Sequence, residues 1–254
     1  MKIIALDAGH GLYTAGKEIT LNGYARTKEW YLNDRISDRV EELLSEYDCK
    51  VIRVGDTTGS KDVSLAQRVN TANNAGATVY ISVHHDSGVG GGYGGGTTVY
   101  YYSGSSARKA QAQKLYDAII AKTGLVGNRC SKVIMKGFYV IKHTSMPAFL
   151  IENGFMDSAT DVPIILSSEH AEKTAQGILN FLVSEYALVK KNGAQGEKTD
   201  KYNSLADDCN LLSTIGIINS PDYWATGGGY SDGNTVQLIK KFAAYVRGKL
   251  NDSE

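Results

Sequence analysis

Residues Leu65–Ser87 read LAQRVNTANNAGATVYISVHHDS, and the fold class follows from this stretch. Leu65, Val69 and Ala72 recur on one helical face. The run TVYISV at Thr78–Val83 is nearly continuous in apolar residues and stops at the polar His84-His85-Asp86. An apolar run of this kind fits a strand covered on both faces. A helix that feeds such a strand is the building unit of an α/β layer fold with a mostly parallel sheet.

The same unit recurs on either side. Further β-rich runs are KIIAL at Lys2–Leu6, KVIRV at Lys50–Val54, TTVYYY at Thr97–Tyr102, FYVI at Phe138–Ile141 and AFLI at Ala148–Ile151. Helical faces are marked by Leu32, Ile36, Val40, Leu43 and Leu44, by Leu115 and Ile119, and by Ala171, Ala175, Ile178, Leu179 and Leu182. The pattern predicts a twisted, mostly parallel sheet of about six strands with helices on both faces.

After Tyr186 the texture changes. KKNGAQGEKTD at Lys190–Asp200 is polar, aperiodic and carries two glycines, as a linker does. The predicted organisation is a catalytic domain over 1–187, a linker over 188–200 and a small helical domain over 201–254. Leu205, Cys209 and Leu212 mark one helix of the tail, and Val236, Ile239, Phe242, Ala243 and Val246 another. So short a unit is marginal alone and is expected to pack on something or self-associate. Tyr223 and Trp224 are read first as its core, with sugar stacking as the alternative.

Composition excludes several classes. Of 254 residues, 42 % are hydrophobic and 9 % aromatic, enough for a core and against disorder. Lys plus Arg (27) balances Asp plus Glu (27), which argues against nucleic acid as a partner. No stretch approaches the ~18 apolar residues of a membrane span. The N-terminal apolar run stops at Asp7, too soon for a signal-peptide core, so synthesis in the cytoplasm without a signal is expected. Cys49, Cys130 and Cys209 have neither disulfide-framework nor zinc-ribbon spacing and read as small buried residues. GVGGGYGGG at Gly88–Gly96 lacks a P-loop ending and reads as a mobile loop, a plain connector or a gate.

In a parallel α/β sheet, chemistry collects at the carboxyl ends of the strands. The first strand ends in Asp7-Ala8-Gly9-His10-Gly11, the third in His84-His85-Asp86, and the last in Glu152-Asn153-Gly154. Glu29 opens the helix after the first strand, where the positive helix end suits a carboxylate. Two imidazoles, a carboxylate and an open position form a catalytic zinc set. His84 and His85 point to opposite faces, so only one suits the site, and Glu18 competes with Glu29. His143 and His170 read as surface or loop residues.

DAGHG at Asp7–Gly11, KEWYLN at Lys28–Asn33, the Leu65–Ser87 stretch and FYVIKHTSMPAFLIENGFMDS at Phe138–Ser158 together resemble the zinc-dependent N-acetylmuramoyl-L-alanine amidases, which include many phage endolysins. The resemblance covers residues 1–186. It implies His10, Glu29 and His84 as ligands of Zn2+, with Glu152 as catalytic glutamate and Arg68 as an ion-pair or loop anchor. Ala8 and Leu12 stand where the family usually has proline and glycine, and His85-Asp86 where it has a small residue and Asn. The activity implied is cleavage of the amide between the lactyl group of muramic acid and L-alanine in bacterial peptidoglycan. A phage-like release to the cell wall and a wall-binding or oligomerising tail are further expectations. The rival readings are a zinc peptidase acting on wall peptides and a non-catalytic wall-binding protein.

Overall fold

The structure, a computed structural model, describes residues 1–103 and 105–191. The tail expected over 201–254, with Tyr223, Trp224 and Cys209, lies outside the described residues.

The described strands are β1 (Lys2–Ala8), β2 (Cys49–Arg53), β3 (Val79–Asp86), β4 (Thr97–Tyr101), β5 (Val133–Met135) and β6 (Ala148–Phe155). The helices are α1 (Glu29–Leu44), α2 (Leu65–Asn74), α3 (Ser106–Thr123), α4 (Tyr139–Lys142), α5 (Val162–Ile165) and α6 (Ser168–Tyr186). The strands form one six-stranded sheet in the order β2-β1-β3-β6-β4-β5. All neighbours are parallel except β4 and β6, which are antiparallel. The sheet is therefore mixed but mostly parallel.

Strand alternation divides the core in two. Ile4, Leu6, Ile81, Val83, Phe149 and Ile151 face α1, α3 and α6. Ala5, Tyr80, Tyr100, Ala148 and Leu150 face the other way, under α2 and α4. Burial of both faces is why the strands read as continuous apolar runs. Ser64 caps α2, accepting from Gln67 N while the Gln67 side chain returns to Ser64 N.

Three expectations are corrected. Phe138–Ile141 is not a strand: Phe138 is extended but caps the single turn of α4. The strand at that edge is instead the short Val133–Met135, paired with β4. Gly88–Gly96 is not a loose loop. Asp157 Oδ2 accepts from Gly88 N and Gly90 N at 2.8 Å each, and Asp161 Oδ2 accepts from Gly96 N at 2.7 Å. Gly94 and Gly95 there have φ of 115° and 125°, conformations that favour glycine. Finally, Cys49 is half-buried and Cys130 exposed, so neither is an interior residue.

Candidate metal centre

Strands β1, β3 and β6 are adjacent and parallel at the middle of the sheet, so their carboxyl ends share one edge. His84 is the register partner of Glu152. His10 sits just past β1 with φ of 66°, an uncommon left-handed conformation for a residue with a side chain. Glu29 reaches the same point from the first turn of α1.

The three meet closely. His10 Nε2 lies 3.3 Å from Glu29 Oε2, and His84 Nδ1 lies 3.1 Å from Glu29 Oε1. One ligand atom from each falls within 4.8 Å of the other two. The imidazoles stand edge to face, with centroids 4.9 Å apart. His10 and His84 side chains are 20 % and 15 % exposed and look onto a cleft, whereas Glu29 is sealed. Burial acts to raise the Glu29 pKa, but the hydrogen bonds and charges of His10 and His84 outweigh it and hold the carboxyl well below its usual range. Glu29 Oε2 is buried with no well-aligned hydrogen bond, its nearest polar neighbours being His10 Nε2 at 3.3 Å and Lys17 Nζ at 3.6 Å. A buried carboxylate oxygen incompletely satisfied in this way, beside two imidazoles, is the donor set a divalent transition metal needs, and the residues fit zinc.

The surroundings fix each ligand. At Gly9 an added Cβ would lie 2.1 Å from His84 Cε1, so only glycine lets the His84 ring pass. Arg68 is buried, donates to His10 O at 2.9 Å and Ala8 O at 2.8 Å, and pairs with buried Asp7. Asp7 also accepts from Tyr80 OH at 2.9 Å and Ser82 Oγ at 2.7 Å. Burial works to raise the Asp7 pKa, and Arg68, His84 and Ser82 together more than offset it. The anchoring role expected of Arg68 is thus a clamp on the turn that carries His10.

His85 points away from the cleft and is buried. Its Nδ1 meets Asn33 Oδ1 at 2.8 Å, and Asn33 Nδ2 donates to Gly9 O at 3.1 Å and Glu29 Oε1 at 3.4 Å. Both of those partners are acceptors, which sets the amide orientation and gives His85 Nδ1 the proton. His85 N also donates to Glu29 Oε1 at 3.2 Å. Glu18 is occupied elsewhere, by Arg26 and Lys28. Asn33 and Lys17, whose Nζ is 3.6 Å from Glu29 Oε2, received no role from sequence. Asn33 was within reach, because it lies one helical turn after Glu29.

Glu152 lies beside the His–Glu–His group, its Oε2 shielded from solvent and without a hydrogen bond. Burial pushes its carboxyl up to about 8; His84 opposes this, while Glu29 and Asp86 add to it. His143 is exposed, as expected, but His170 is not a surface residue. It is buried against Asn153 O at 3.2 Å.

The model of the family described as N-acetylmuramoyl-L-alanine amidase matches residues 4–184. The N-acetylmuramoyl-L-alanine amidase CwlM of Bacillus licheniformis is 32 % identical over 191 residues, 75 % of this chain and 71 % of that protein. The endolysin of Bacillus phage SPP1 is 31 % identical over 207 residues, 80 % of this chain and 73 % of its own. Among solved structures, the catalytic domain of CwlV from Bacillus (Paenibacillus) polymyxa var. colistinus superposes with a TM-score of 0.64 at 28 % identity, covering 74 % of this chain and 99 % of that one.

Proposed function

The chain belongs to the N-acetylmuramoyl-L-alanine amidase family and is a cell-wall hydrolase, and from that premise we propose that His10, Glu29 and His84 hold a zinc ion while Glu152 moves the proton. The bond cut is the amide between the lactyl group of N-acetylmuramic acid and L-alanine of the stem peptide. Zinc at such a site supplies Lewis acidity, polarising a carbonyl and acidifying water.

The rest of the chemistry falls to the chain. Glu152 takes a proton from the attacking water and returns it to the departing amide nitrogen, which leaves poorly unless protonated. A carboxyl lifted toward neutrality suits both halves of that exchange, and a nearby divalent cation would draw it down from about 8 toward the working pH. Arg68 and the Asn33–His85 pair keep His10 and Glu29 in place while charge develops. We place the action at the cell wall, reached after release from the cell. We assign residues 201–254, after a linker, to a small wall-binding or oligomerising domain. Among the described residues no helix is long and apolar enough to cross a membrane.

The observation that carries the reading is the convergence of two imidazoles on one buried carboxylate beside Glu152. The test is digestion of purified peptidoglycan with and without chelator, followed by end-group analysis. New amino-terminal alanine, lost on chelation and restored by zinc, is expected. Release of free amino acids with the lactyl amide intact would mark a peptidase instead.

A further inference from the structure

The cleft of about 540 Å³ does not end at the metal centre. It continues over the sheet face between the start of α2 and α4. Val63 and Leu65 line it from the α2 end, Phe138, Tyr139 and Val140 from α4, and Leu150 from the strand that carries Glu152. Leu65 is 53 % and Tyr139 41 % exposed, so both present apolar surface to whatever enters the cleft.

This part of the cleft is built rather than loose. Asn73 of α2 donates to His143 O at 3.2 Å and accepts from Ser145 N at 2.9 Å, tying the two walls together. The Tyr139 ring packs against His143 with centroids 4.3 Å apart, and Phe138 sits edge-on to Tyr100 at 5.0 Å. The two aromatic rings of the α4 wall are therefore set before any ligand arrives, which lowers the ordering cost of binding.

Two parts of the substrate flank the scissile amide. The glycan side is dense in hydroxyls, and against these apolar side chains its groups would lose water without gaining partners. The peptide side carries methyl and methylene groups that gain from such a wall. We infer that the groove between α2 and α4 is the stem-peptide subsite, with Leu65 and Tyr139 as residues that determine peptide specificity. This assignment rests on the amidase reading above.

The test uses the zinc-loaded full chain and soluble muropeptides that differ in one variable at a time: a dipeptide against a tetrapeptide stem on the same glycan, and a short against a longer glycan on the same stem. The parent should favour the tetrapeptide. In Leu65→Gln and in Tyr139→Ala, both at exposed positions, the tetrapeptide-to-dipeptide ratio of kcat/KM should fall about tenfold, through KM, the scale of one lost apolar contact. The dependence on glycan length should not move. Unaltered peptide ratios, or a fall that follows glycan length, would overturn the subsite while leaving the amidase intact. A parent that cuts no muropeptide would overturn both.

Discussion

Gly9 shows how tightly the ligands are held. The His84 ring occupies the space where a side chain on Gly9 would begin, and Glu29 keeps that ring from turning aside. Gly9→Ala should therefore leave a folded protein whose zinc affinity is lower by roughly 10–100-fold, the scale on which outer contacts tune a metal site. Competition against a chromophoric chelator measures it, and parental affinity would show that His84 does not depend on this approach. That His10, Glu29, His84 and Glu152 would gather at one rim was legible in sequence because they sit near the carboxyl ends of strands or open a helix, whereas the choice of His84 over His85 and of Glu29 over Glu18 came from the family resemblance. The burial of His170 was not legible. It depends on α6 lying across the end of β6, a contact between segments that no local pattern encodes.

Among the elements, α2 does more than cover the sheet. Its Arg68 pairs with buried Asp7 and also holds the His10 turn. Arg68→Met should cost on the order of 3–5 kcal/mol, because it strands a buried carboxylate. Adding Asp7→Asn should recover part of that loss in denaturant unfolding, since the neutral amide no longer needs the cation. Equal stability of the single and double variants would show that the ion pair is not the source. Strands β1, β3 and β6 were readable as apolar runs, but Phe138–Ile141 was not separable from a strand by pattern, since one helical turn buries the same two residues, Val140 and Ile141. Val133–Met135 has only 3 residues, too few to show any period. The glycine-rich loop looked free because its restraints, Asp157 and Asp161, lie more than 60 residues away.

For the catalytic unit as a whole, acid stability should carry the mark of His170. Burial first, then Arg35 and Lys173, depress its pKa to about 4, against the opposing hydrogen bond to Asn153 O. The unfolded chain, with histidine near 6.5, therefore binds the proton more readily. The contribution is complete above about pH 6.5 and is lost progressively as pH falls toward 4, by up to about 3 kcal/mol. Metal-stripped His170→Gln should unfold with a shallower pH dependence across that window than the metal-stripped parent, and parallel curves would contradict this.

The claim on which the rest depends is that three ligands and one proton carrier share a single cation at the edge of the sheet. Metal content and new amino-terminal alanine, measured together on one set of variants, address it most directly. Glu152→Gln should keep one zinc per chain while losing at least roughly 10²–10⁴-fold in rate. His10→Ala, Glu29→Gln and His84→Ala should lose metal and rate together, and His85→Ala should still load with zinc. Zinc retained by all three ligand variants, or parental activity in Glu152→Gln, would contradict the account.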